Sequence, residues 1–110
     1  MEDVSNYVPI KHLRTHGGVL GKAFGDLVDL TYKDGFFDPK TRELLYIAVH
    51  SAIHNPTGIV RHLARARASG CSKTDVINAI LIAGINAGIT GAVMSLPPVL
   101  EEMQRMNWSE

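Results

Sequence analysis

From Val76 to Leu100 the 110-residue chain carries no charged side chain. A run of that length has to be kept from water, and there are few ways to do it. Gly84-x-x-x-Gly88 has the small-residue spacing of membrane helix pairs. Against a membrane span, Asn78, Asn86, Thr90 and Ser95 interrupt the run, Pro97-Pro98 ends it, and no basic flank orients it. A helix buried inside an oligomer fits better. Gly84, Gly88 and Gly91 suit close helix approach. The 11 basic and 11 acidic residues give a formal net charge of zero, which removes one barrier to self-association. The same balance argues against a nucleic-acid partner, whose footprint is a basic excess. The expected partners are therefore further copies of the chain, with neither nucleic acid nor membrane.

The rest of the chain is punctuated as helices. Residues 1–8 read as a loose tail, and Pro9 opens a short helical turn through Leu13, stopped by Gly17-Gly18. Val19 to Lys33 carries Leu20, Phe24, Leu27, Val28 and Leu30 at helical period, with Gly35 as a stop. Asp38-Pro39 is a helix start, with Asp38 as N-cap and Pro39 at the first position. That helix runs to about Ile53, where Asn55-Pro56 breaks it and caps the next, Pro56 to Ser69. There Ile59, Val60, Leu63 and Ala66 point inward, Arg61, Arg65 and Arg67 lie on a solvated side, and Gly70 closes the helix. Ser72-x-x-Asp75 is a capping box with Asp in place of Glu, opening a helix near Lys73. Gly88 and Thr90 break it before a last helix that Pro97 kinks or resets and whose exposed end is Glu101 to Met106. No strand, repeat or linker is evident. The fold class is all-α: a compact helical bundle of about five to six helices, as one domain over 1–110 with its core at about 18–103.

Cys71 is the single cysteine, so an intramolecular disulfide, a CxxC motif and a four-cysteine zinc site are all impossible. It sits in a turn between helices and reads as a small half-buried residue. A reducing cytoplasm is the expected compartment. Met1-Glu2-Asp3-Val4 is acidic with no apolar run after it, unlike a signal peptide.

The helix after Asp38 carries the chemistry. Glu43, His50 and His54 fall within roughly 20° of one direction on a helical wheel. If the next helix packs back antiparallel, His62 faces that stripe. A carboxylate beside imidazoles fixes a histidine's tautomer and raises its basicity, which suits proton transfer. Other readings stand beside this one. Glu43 pairs with Arg42, Arg61 or another basic residue at a helix contact, and His50 and His54 are satisfied core histidines or line a subunit seam. A further reading is a metal site: His50-x-x-x-His54 has ligand spacing on a helix, and Glu43 and His62 would complete it.

The run Phe37-Asp38-Pro39-Lys40-Thr41-Arg42-Glu43-Leu44-Leu45 resembles the LDPKTRELI opening of the carboxymuconolactone decarboxylase and alkylhydroperoxidase D family. The family continues with Cys-x-x-Cys-x-x-x-His, a helix rich in alanine and basic residues, a glycine turn, and a helix rich in alanine and isoleucine. The same order appears here as His62-Leu63-Ala64-Arg65-Ala66, Gly70-Cys71-Ser72 and Val76 to Ala83. The resemblance spans roughly Gly18 to Met103. It implies the alkylhydroperoxidase D-like helical fold and a homo-oligomer, a trimer or hexamer.

Glu43 matches the family's functional glutamate and His62 the closing histidine, while the two cysteine positions fall on Asn55 and Gly58. The resemblance is thus to the branch without the cysteine pair, and thiol peroxidase chemistry is excluded. That branch implies a cofactor-free lyase, with no cofactor and no metal. Its family reaction takes carbon dioxide from γ-carboxymuconolactone during bacterial protocatechuate degradation. By resemblance, His62 transfers the proton, Glu43 orients it, and His50 and His54 serve proton relay or carboxylate binding. Asn55, Thr57 and Gly58, at a helix start whose N–H groups favour an anion, are the expected substrate-binding residues. A small carboxylate or lactone is the expected ligand. The alternatives are a non-catalytic oligomeric small-molecule-binding protein and a His/Glu metal-binding protein.

Overall fold

The computed structural model describes residues 8–33 and 36–109. The described residues form six helices and no strand. The chain divides into two units, Met1–Asp38 and Pro39–Glu110. The expected tail, apart from Val8, and the expected stop at Gly35 lie outside the described residues.

In the first unit α1 spans Val8–His16 and α2 spans Gly18–Leu30. Helix α1 is thus longer than the short turn expected after Pro9. It ends where Gly17 N–H bonds Leu13 O at 2.9 Å and Gly18 takes φ +62°. Helix α2 stops at Leu30, short of Lys33, and Thr31 Oγ1 donates to Val28 O at 2.7 Å. Helix α2 meets α1 through glycines. A Cβ at Gly21 would collide with the Leu13 carbonyl, and one at Gly25 with the Arg14 guanidinium. Arg14 then bonds Asp26 at 2.8 Å and Asp29 at 2.6 Å. The buried positions of α2 are Gly21 and Gly25, while its periodic residues Leu20, Phe24, Leu27 and Leu30 are at least half exposed. Close backbone approach, rather than apolar side chains, chose the packing face.

In the second unit α3 (Pro39–Ala52), α4 (Pro56–Ala68), α5 (Lys73–Ala87) and α6 (Ile89–Arg105) enclose one aliphatic core. Ile47, Ile59, Leu63, Val76, Ile80, Val99 and Met103 are each fully buried within it. The helix ends follow local chemistry. Asn55 caps α4 by accepting from Gly58 N–H, and Ser72 and Asp75 form the full capping box of α5. Lys40 reinforces that box through Asp75 at 3.2 Å. Helix α4 closes in a Schellman turn: Gly70, at φ +94°, donates to Arg67 O and Cys71 N–H donates to Ala66 O at 3.0 Å. Cys71 is more buried than expected, at 4% exposure.

Two expectations for the last helix are narrowed. Of the kink or reset expected at Pro97, the reset is absent, because α6 runs unbroken through Pro97 and Pro98. Its buried residues Ala92, Ser95, Val99 and Met103 recur at helical spacing, so one-sided packing holds the helix where two successive N–H groups are missing. The segment from Glu101 to Met106 is not simply an exposed end, because Met103 is fully buried. Arg67 spans to that end, donating to Met106 O at 2.8 Å and lying over the Trp108 ring. No helix among the described residues is long and apolar enough to cross a membrane.

Candidate functional site

A three-residue turn folds α4 back along α3, and this brings Glu43 and His62 together. His62 Nδ1 lies 2.8 Å from Glu43 Oε1, and Arg42 Nε donates to Glu43 Oε2 at 2.8 Å. Arg42, Glu43 and His62 are 4%, 0% and 3% exposed. The Tyr46 ring stacks on His62 with centroids 4.8 Å apart, and the His50 ring is 5.5 Å from His62 on a tilted plane. Helix α3 thus lines the site with positions 42, 43, 46 and 50.

Burial pushes the Glu43 carboxyl upward in pKa. The hydrogen bonds and charges of His62 and Arg42 outweigh that, so it sits below the ordinary carboxylate value. An ionised carboxylate accepts only, so His62 Nδ1 is the donor and the neutral ring has its lone pair on Nε2. The bond supplies what a proton-transferring imidazole needs: a fixed tautomer and a counter-charge for its protonated form.

Burial, then the charge on His62, lower the pKa of His50. The sign of the consequence follows directly. A histidine that protonates less readily when folded contributes stability that is complete above its unfolded pKa. That contribution is lost as pH falls through the lower folded value. Urea unfolding should show stability declining below about pH 6.5. His50→Gln should flatten that part of the decline, and an unchanged slope would contradict the assignment.

The expected substrate residues lie around the turn. Asn55 Nδ2 lies 3.2 Å from His50 Nδ1 while Oδ1 accepts from Gly58 N–H at 3.2 Å. Gly58 is buried, and Thr57 is exposed in the first turn of α4.

His54 does not join the cluster. Helix α3 ends at Ala52 in a Schellman turn in which Asn55 N–H bonds His50 O at 2.8 Å and His54 N–H bonds Ser51 O at 3.1 Å. His54 occupies the left-handed position, at φ +59°, and is exposed. The expected stripe through 43, 50 and 54 therefore stops at 50. The same break removes the His50-x-x-x-His54 ligand pair. Among the described residues no three His, Cys, Asp or Glu side chains are placed to hold a metal ion.

Tyr46 was not among the expected site residues, whereas Arg42 was expected as a partner of Glu43 in the helix-contact reading and does bond it. Tyr46 had a usable signal, because it lies three residues after Glu43 and four before His50. Arg42 had none from periodicity, since a neighbouring position points about 100° away on a helical wheel.

Six helices among the described residues, with a buried carboxylate–imidazole couple on two adjoining ones, define an all-α protein. The chain belongs to the carboxymuconolactone decarboxylase family, whose model matches residues 19–101. No curated protein and no solved structure matches the chain.

Proposed function

We propose that the protein is a cofactor-free lyase that removes carbon dioxide from a small carboxylated, enolisable lactone, with His62 moving the proton and Glu43 holding His62. The observation that carries this reading is the 2.8 Å contact between His62 Nδ1 and Glu43 in an almost fully buried site. Family membership supports it, as does the placement of Asn55 and Gly58 where a peroxidase would need two thiols. The bond from ring carbon to carboxylate breaks, carbon dioxide leaves, and the electron pair delocalises onto the lactone carbonyl as a dienolate. His62 in its imidazolium form then gives its Nε2 proton to carbon and regains one from solvent. Thr57, Asn55 and the first turn of α4 receive the substrate carboxylate.

The working form is a homo-oligomer, a trimer or hexamer. Helices α5 and α6 leave Ile82, Ile85, Ile89 and Val93 between 58% and 83% exposed, which is costly for a free surface. A groove of about 340 Å³ between α3 and α5, lined by Leu44, Leu45, Ala48 and Ile82, adds to that face.

The test is carbon dioxide release from γ-carboxymuconolactone. His62→Ala should lower kcat by roughly a hundredfold, with helix content and oligomer size unchanged. Wild-type rates in His62→Ala would overturn the assignment. Binding of the lactone without carbon dioxide release by the unsubstituted protein would point instead to a non-catalytic ligand-binding protein.

A further inference from the structure

We propose that His50 is a tautomer-locked, neutral hydrogen-bond donor that presents its Nε2–H to the oxyanion of the bound lactone, and that Asn55 is the positioning residue that keeps it in that form. The oxyanion in this inference comes from the lyase reading above; the tautomer does not.

The argument starts from one side-chain amide. The backbone N–H of Gly58 can only donate, so the end of Asn55 that it meets is Oδ1, at 3.2 Å. The other end, Nδ2, therefore faces His50 Nδ1 at 3.2 Å. An amide NH2 donates and does not accept, so His50 Nδ1 must accept. A neutral imidazole that accepts at Nδ1 carries its hydrogen on Nε2. Protonating Nδ1 would set two donors against each other across that contact. Asn55 is itself held, because the same amide oxygen is the N-cap of α4.

Gly58 fixes the ring from another side. A Cβ there would lie 2.5–2.7 Å from three atoms of the His50 ring, so the imidazole occupies the space that any other residue would need. Burial also favours the neutral ring, and His62 on α4 is the titratable neighbour whose charge adds to that effect. His50 Nε2 has no hydrogen-bond partner among the described residues. His50 is half-buried rather than fully enclosed.

The neighbouring imidazole is set the opposite way. His62 gives Nδ1–H to Glu43, so its Nε2 is the nitrogen that takes up and gives away the transferable proton. Two rings 5.5 Å apart thus differ in role, one a fixed donor and one the proton carrier. An enolate-forming reaction needs that division: a hydrogen bond at the oxygen and a proton carrier at the carbon. A proton relay would have to load and unload both nitrogens of His50, and Asn55 opposes protonation of one of them.

The experiment uses the full-length chain with ¹⁵N-labelled histidine. Long-range ¹H–¹⁵N spectra at pH 7 should show His50 as the Nε2–H tautomer. Tetronic acid, a five-membered lactone that is an enolate at neutral pH, is the probe, with γ-butyrolactone as the neutral control. Tetronate should shift His50 Nε2–H, and γ-butyrolactone should shift it much less. His50→Ala should weaken tetronate about tenfold, the loss expected for a hydrogen bond to a charged group. His50→Gln, whose amide N–H stands near the position of Nε2–H, should recover most of that loss. Asn55→Asp keeps an acceptor for Gly58 N–H but turns the contact with His50 into one that accepts. It should place a hydrogen on His50 Nδ1, as the other neutral tautomer or as imidazolium, so the Nδ1-acceptor signature of the unsubstituted protein should disappear from the spectrum.

A His50 found as Nδ1–H or as imidazolium in the unsubstituted protein overturns the proposal, as does tetronate binding that His50→Ala leaves unchanged. Failure of carbon dioxide release with these spectra and affinities as expected would remove the lyase reading and leave the donor assignment standing.

Discussion

Glu43→Ala is expected to destabilise the second unit by about 3–5 kcal/mol, the range for breaking a buried charge pair from one side. The carboxylate is 0% exposed and receives Arg42 Nε and His62 Nδ1, each at 2.8 Å. Its removal leaves a buried guanidinium without that counter-charge and a buried imidazole N–H without its acceptor. Glu43→Gln keeps the shape and one acceptor oxygen but turns an NH2 towards one of the two donors, so it should cost less than the alanine and more than a surface change. Trp108, the chain's single tryptophan, is 4% exposed in the core of this unit and serves as the fluorescence reporter in urea. A loss below about 1 kcal/mol, the scale of an exposed pair, would mean that the pair does not act as a buried one.

Acid adds a second signature. Because Glu43 is lowered in the folded state, its stabilisation is complete above the unfolded carboxylate value and is lost as pH falls through the folded one. Glu43→Ala should lack that part of the acid slope, at lower pH than the part due to His50. The two substitutions therefore separate two overlapping titrations.

The elements that sequence reading located well are those written in local chemistry. Asn55-Pro56 and Ser72-x-x-Asp75 set helix starts through side chains that bond their own backbone, and the structure has both caps. The Glu43–His62 contact was legible for a related reason. A three-residue turn folds α4 back along α3, so the face of α4 that carries His62 returns to the face of α3 that carries Glu43.

What periodicity could not show was where a helix stops. His54 continues the angular pattern of Glu43 and His50, but it is used as the left-handed residue of a Schellman turn, a role usually given to glycine. Helix α2 misled in another way. Its apolar stripe is the stronger pattern, yet glycines form its contact with α1, and a glycine face leaves no hydrophobic signal. Pro97 read as a kink or a reset because proline opposes helices locally, whereas burial along α6 keeps the helix continuous over a longer stretch.

The same close-approach logic yields the sharpest stability prediction, at Gly91. Intrinsic propensity says that Gly91→Ala should stabilise α6 by about 1 kcal/mol. Packing says the opposite. A Cβ at Gly91 would stand on the backbone carbonyl oxygen of Ser51 and 3.2 Å from the His54 ring. A backbone carbonyl cannot swing aside as a flexible side chain does, so α6 must lift off α3 and part the core that Val99 and Met103 fill. The net effect should be a loss of about 3 kcal/mol, at the upper end for overpacking. The serines beside this contact provide the control. Ser51 and Ser95 are fully buried and their hydroxyls have no hydrogen-bond partner among the described residues. Their value at this seam is small size, so Ser95→Ala should be neutral or slightly stabilising, because it removes an unsatisfied hydroxyl. Unfolding of both variants by Trp108 fluorescence decides between propensity and packing. A Gly91→Ala protein as stable as the parent would show that α3 and α6 are free to move apart, and that the tight seam does not hold the site-bearing helix in place.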